Sequence, residues 1–409
     1  MAYHSEHEDN KKVKILLFCA VIILLGMHIV GREKQVRSIQ PPLYGFMEDG
    51  TAIEELSQAE TSADSIHQGL YYYECLTETE KYWYEEMYTI LDSMQEEGDL
   101  SLLHGPQAEE AELDKIFQCL MNDHPELFFV KGYTYTRYTY AGEIVRLGFT
   151  GMYTMDPVER EEKQLQIEAQ AEQYLQGISM QAADYEKVKY VYETIVTETE
   201  YQKDAQDSQN IYSVFVNHES VCQGYAKAAQ YLLMRLGVDA TLVKGTVYGG
   251  ENHAWNLVWI DGAGYYMDAT WGDASYRITE EGTESVSSQP DINYDYLCVT
   301  TEQIEKTHVP DSVVPLPECT SMDANYYVRE GAYFTDYEET ALADFFERGY
   351  ADGKADVTLK CANKEIYELF CRHLIEEQEI FNYLDTDGNP VAYAQDIEQL
   401  SLTFWLVDE

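Results

Sequence analysis

The chain of 409 residues carries 27 basic against 74 acidic side chains, a net charge of −47. That balance argues against nucleic acid or an anionic bilayer surface as a partner, since either would repel it. It suits cationic substrates such as lysine-bearing peptides, and it suits solubility alone equally well, because the acidic residues are spread along the chain.

After a polar tail over residues 1–12, the run 13–30 (VKILLFCAVIILLGMHIV) is apolar except for Lys14 and His28. Its length fits a slightly short membrane span, and it lacks the polar face of a buried soluble helix. No small-x-small cleavage site follows, and Cys19 sits in mid-run, so an uncleaved transmembrane anchor is expected rather than a removed signal peptide. Lys11, Lys12 and Lys14 are matched beyond the run by Arg32, Lys34 and Arg37, so charge leaves orientation open. The short tail favours a cytoplasmic start and a single-pass protein with its body outside the cytoplasm. Residues 31–68, with Pro41-Pro42 and the acidic EDGTAIEELSQAE, read as a linker.

Three units follow. Over 69–178 the pattern predicts helices at Thr77–Met94 and Glu109–Met121, a β-ribbon from Leu127 to Met152 and a long helix from Pro157, together an α+β module. The core spans 179–308 and opens with a helix in DYEKVKYVYETIVTETEYQ, where Val188, Val191, Ile195 and Val196 fall on one face. Over 309–409 a proline-spaced connector leads to strands at NYYVREGAYF, DVTLKC and LTFWLV and helices at ETALADFFERGY and KEIYELFCRHLIEE, a second small α+β module. Asp385-Thr-Asp387-Gly388-Asn389-Pro390 departs from a calcium loop, because its glycine is displaced and Pro390 stands in the way, so a hairpin turn is expected there.

Within the core, Ser220-Val-Cys222-Gln223 fits a capping box that would make Ser220 the N-cap and put Cys222 in the first helical turn. Tyr225, Ala228, Ala229, Leu232 and Leu236 share the helix's apolar face, and Gly237 stops it. Unpaired N–H groups and the helix dipole would meet the sulfur, favouring thiolate over thiol. Farther on, His253-Ala-Trp255-Asn256-Leu257-Val-Trp259-Ile reads as a strand, Asp261-Gly262 as a hairpin turn and Tyr265 to Thr270 as the returning strand. That register sets His253 opposite Thr270 and makes Asp268 its diagonal neighbour, about 7–8 Å away between backbones. A turn that included Ala263 and Gly264 would slide the two apart. Cysteine, histidine and aspartate in this arrangement are the parts of a thiol acyl-transfer site, with nucleophile, base and orienter.

These residues resemble the bacterial transglutaminase-like family, whose core pairs a cysteine in a G-V-C-x-G-like helix start with a histidine in H-A-W-N and an aspartate in D-x-T-W. Here Ser-Val-Cys222-Gln-Gly224, His253-Ala-Trp-Asn256 and Asp268-Ala-Thr-Trp271 match, with Ser220 where the family often has glycine. The resemblance implies a papain-like α+β core with Cys222 as nucleophile, His253 as base and Asp268 as orienter, flanked by the two smaller modules. Gln223 is a candidate oxyanion donor, although the capping box already accounts for it and the Cys222 N–H is the better one. Trp255 and Trp271 are candidate pocket walls. The expected protein is a cysteine enzyme acting on peptide or side-chain amides through a thioester, with hydrolysis preferred to amine transfer. Its substrates would be peptides or proteins, cell-wall-associated ones among them. The competing reading is an inactive cell-surface binding module built on the same fold. No metal or cofactor is expected, as HExxH, paired CxxC, Walker A and dinucleotide-loop patterns are missing. The eight cysteines lack a spacing that fixes pairing, with Cys298–Cys319 as a candidate bridge. The 35 tyrosines fit half-buried sheet faces better than a sugar-stacking platform.

Overall fold

The structure, a computed structural model, describes residues 34–38, 67–102, 110–141, 143–273, 292–351, 356–384 and 390–406. Among these residues no helix is long and apolar enough to cross a membrane, and the run 13–30 lies outside them, as do residues 385–389 of the turn before Pro390. The chain divides into two compact units within one helix, after Glu162; Gly69–Tyr72 belongs to the second unit.

The first unit packs two helices on a four-stranded sheet. Strand β1 (Lys34–Ser38), which lies inside the stretch expected to be a linker, runs parallel to β3 (Val130–Tyr140). The helices are α1 (Glu78–Asp92) and α2 (Glu110–Asp123), and β2 (Gly98–Leu100) and β4 (Glu143–Tyr153) complete the sheet in the order β1-β3-β4-β2. Thr77 starts α1 with a full capping box: its hydroxyl accepts the Glu80 N–H while its own N–H donates to Glu80 Oε2 at 2.8 Å. Trp83, Met87 and Leu91 then recur every fourth residue, and Leu113, Phe117 and Leu120 do much the same on α2, so both helices bury a stripe with Tyr133, Tyr135, Leu147 and Phe149 of the ribbon.

Helix α3 (Pro157–Leu175) begins in the first unit and continues into the second, which holds α4 (Asp184–Glu198), the short strands β5 (Glu200–Tyr201) and β6 (Glu219–Ser220), and α5 (Cys222–Arg235). Next come β7 (Ala240–Val247), β8 (Asn252–Ile260), β9 (Ala263–Met267), α6 (Ala269–Gly272) and β10 (His308–Pro310). The sheet order is β10-β7-β8-β9, antiparallel throughout, with α5 packed on β7 and β8. Asp261 and Gly262 both take positive φ, 50° and 81°, and Ile260 pairs Ala263, so the hairpin has the expected two-residue turn. Its second strand is shorter than expected. It stops at Met267 and the chain turns into α6, because the Asp268 carboxylate accepts the N–H groups of Thr270 and Trp271 and starts a helix where a strand to Thr270 was predicted.

The carboxyl-terminal residues form α7 (Tyr326–Arg329), β11 (Tyr333–Phe334), α8 (Glu339–Ala351), β12 (Asp356–Cys361), α9 (Lys364–Phe370), β13 (Val391–Asp396) and β14 (Ser401–Leu406), in the sheet order β11-β12-β14-β13. Two expectations need correction here. NYYVREGAYF opens with a one-turn helix, because the Asn325 side chain accepts the Tyr327 N–H, and Gly331 at φ 65° then turns the chain, leaving two residues for the strand. KEIYELFCRHLIEE is not one α-helix: α9 ends at Phe370 and widens into a π-helical turn, Cys371–Glu376. Strand β13 was not anticipated. This sheet is joined to the core by a buried ion pair, Lys360 Nζ to Asp295 Oδ1 at 2.8 Å, while the Ser401 hydroxyl donates to Asp295 Oδ2 at 2.7 Å.

Candidate active site

Cys222 is the first residue of α5, so its N–H has no acceptor within the helix. The expected capping box is absent. Val221 takes the extended N-cap position with no side-chain bond, Ser220 Oγ bonds the Ser208 carbonyl at 2.9 Å and Ser213 Oγ at 2.6 Å, and Gln223 Nε2 donates to the Gln209 carbonyl at 3.0 Å. Gly224 is required by this serine cluster, since a Cβ there would overlap Ser220 Oγ. The Asn256 side chain on β8 donates to the Ala226 carbonyl at 2.9 Å, fixing the helix that bears Cys222 to the strand that bears His253. Tyr225 anchors the same helix start through its hydroxyl, which donates to the Thr199 carbonyl at 2.8 Å and reaches Asp273 Oδ2 at 3.0 Å.

The structure brings Cys222, His253 and Asp268 together. His253 Nε2 lies 2.7 Å from Asp268 Oδ2, and the His253 ring also hydrogen-bonds the Cys222 side chain. Burial would lower the proton affinity of His253, but the Asp268 charge and hydrogen bond, together with the Cys222 contact, push its pKa up to about 10. Burial would likewise raise Asp268; the charge of His253 and hydrogen bonds from His253 and His308 hold it well below the usual carboxylate range instead. Cys222 is half-buried, packed beside Ala226, Leu242 and Ala254, whereas burial pushes up the Cys298, Cys319 and Cys361 thiols, Cys319 to about 11. Cys298 and Cys319 are both free thiols and form no bridge. Trp255 is wholly buried in the core with Val243, Leu257 and Tyr296, and Trp271 is packed against that cluster; their rings lie 6.1 and 6.0 Å from the His253 ring.

His308 was missed by sequence reasoning. Its Nε2 lies 3.0 Å from the same Asp268 Oδ2, and its ring is fully buried between Trp255 and Trp271. THVP carries no spacing that links it to His253 or Asp268, so only the addition of β10 to β7 reveals it. Among the described residues, His253, Asp268 and His308 form one group whose atoms are close enough to hold a metal, and His373, Glu377 and Glu379 form another. In the first, the 2.7 Å contact is a hydrogen-bond length, shorter than the separation of about 3.3 Å between two ligands on a tetrahedral zinc ion. In the second, His373 Nδ1 lies 3.1 Å from Glu377 and 3.2 Å from Glu379, ion-pair distances on a partly exposed surface, and the Tyr337 hydroxyl donates to Glu379.

Residues 172–269 match the model of the transglutaminase-like superfamily, and the match takes in Cys222, His253 and Asp268. They form a transglutaminase-like domain. Among solved structures, the chain is similar to a protein described as a TGase, at 12% identity over 39% of this chain and 60% of that one, with a TM-score of 0.25. It is also similar to the periplasmic domain of TgpA from Pseudomonas aeruginosa, at 18% identity over 33% and 60%, TM-score 0.23, and to menin, at 16% over 58% and 49%, TM-score 0.24. This chain therefore spans less than two thirds of each. No curated protein matches it. The transglutaminase-like domain rests on the family match together with the Cys222, His253 and Asp268 positions it encloses.

Proposed function

We propose that the chain is a cysteine enzyme that attacks peptide or side-chain amides and works outside the cytoplasm, tethered by residues 13–30. The observation that carries this reading is the buried His253, bonded on one side to the Asp268 carboxylate and on the other to the half-exposed Cys222. His253, raised in proton affinity, already holds the proton given up by Cys222 when sulfur attacks the carbonyl carbon; the C–N bond then breaks, the leaving amine collects that proton from His253, and a thioester remains. The N–H of Cys222, free of any helical partner, is the oxyanion donor this geometry offers, and Gln223 is already engaged with Gln209. A water activated by His253 releases the acid, or a lysine amine takes the acyl group in a cross-linking reaction. Hydrolysis is the preferred outcome, because amine transfer needs a channel that excludes water. Peptide and protein substrates follow from this chemistry, with cationic sequences favoured by the net charge of −47.

The test is mass spectrometry of a mixed Gln/Lys peptide library incubated with the full chain, with and without an added amine. Cleaved or deamidated peptides that vanish with Cys222→Ala are expected, and amine-tagged peptides would mark transfer. A product pattern identical in the Cys222→Ala protein would overturn the assignment.

A further inference from the structure

The proposed reaction leaves one polar residue of the site without a part: His308, on β10, outside the segment 172–269. We propose that His308 is a positioning residue that acts through Asp268, holding Oδ2 with a neutral Nε2–H so that the carboxylate orients His253 yet binds its proton less tightly. This rests on the reading of Cys222 and His253 given above.

Asp268 is saturated. Oδ1 accepts the N–H groups of Thr270 at 2.9 Å and Trp271 at 3.2 Å, and Oδ2 meets His253 at 2.7 Å and His308 at 3.0 Å, which fills the roughly four lone-pair sites of a carboxylate. The charged or titratable groups facing His308 are Asp268, His253 and the Tyr296 ring, and Tyr192 of α4 lies close enough to feel the Asp268 charge. One buried negative charge cannot balance two imidazolium ions, and the ring that touches Cys222 is His253. His308 is therefore the neutral ring. Thr307 supports that tautomer: its Oγ1 lies 2.8 Å from His308 Nδ1 and only 3.4 Å from the Ile304 carbonyl, so its proton is better placed on Nδ1, leaving the ring's own proton on Nε2 for Asp268. A second N–H on Oδ2 competes with His253 for the same electron density, so the imidazolium gives up its proton more readily to a leaving amine.

The experiment follows the pH dependence of Cys222 alkylation by chloroacetamide in the full chain, read by mass spectrometry of the Cys222 peptide. Its upper step marks proton loss from His253. In His308→Phe, which keeps a ring without the donor, that step is expected to rise by about one pH unit. In His308→Gln, which returns an N–H near the Nε2 position, it is expected at its original place. A step that stays put or falls in His308→Phe, or moves as far in His308→Gln, would overturn the proposal. Should His308→Phe fail to fold, His308→Asn, whose amide reaches only the Nδ1 position, is expected to shift the step in its place, and an unmoved step there would equally sink the idea. Cys222 reacting no faster than the other thiols in the unaltered chain would instead count against the thiol-enzyme reading.

Discussion

Asp268 divides its two oxygens between fold and chemistry, one starting α6 and the other holding two imidazoles. Asp268→Asn can preserve only one of these arrangements, since its amide N–H₂ would face donors wherever it points. Turnover is expected to fall by about four orders of magnitude with the fold retained, as for a histidine held in the wrong tautomer, checked by single-turnover kinetics beside a circular dichroism melt. Activity within tenfold of the parent would mean that another group orients His253. The pairing of His253 with Asp268 was legible because Asp261-Gly262 admits positive φ at both turn positions, and that turn sets the register of everything beyond it. The capping box misled because its pattern ignores competing partners: Ser208 and Ser213 sit within reach of Ser220 and claim its hydroxyl first. His308 was illegible for a different reason. A residue that joins a site through a strand pairing from a distant segment leaves no local trace.

At the level of elements, the edge of the core sheet depends on a missing side chain. A Cβ on Gly245 would collide with the Val309 carbonyl and lie 2.8 Å from the Trp255 ring and 2.9 Å from Pro310, so β10 approaches β7 only because residue 245 is glycine. Gly245→Ala is expected to cost about 1–3 kcal/mol in a denaturant melt, because backbone rather than a flexible side chain must give way. It should also displace His308 from Asp268. An unchanged midpoint would show that the strand relaxes freely. Elements whose signals are local were readable, α1 from its helical periodicity and the β3–β4 ribbon from its alternation. The strand predicted at NYYVREGAYF shrank to two residues because the Asn325 side chain caps a helix and Gly331 turns the chain, which together outweigh the β-propensity of tyrosine.

For the whole molecule, pH should separate the two units. Burial first, and then the charge of His124, lowers His67 in the first unit from 6.5 to about 4, so the unfolded chain binds the proton more readily and that unit loses stability as pH falls from 6.5 towards 4. His253, in the second unit, runs the other way. Raised from 6.5 to about 10, it contributes stability that is complete below 6.5 and is lost as pH climbs through 10, while the depressed Asp268 withdraws its share only below 3.8. Hydrogen exchange corrected for intrinsic rates should therefore show the first unit loosening at about pH 5 and the second at about pH 9, each relative to neutrality. The reverse order would contradict both assignments. The four site residues also appear in the chain in a fixed sequence, on α5, β8, the start of α6 and finally β10. A polypeptide growing from its amino end thus carries its sulfur, base and carboxylate well before the strand that completes them, so the order of synthesis sets a delay between making the reactive groups and finishing their hydrogen-bonded circuit.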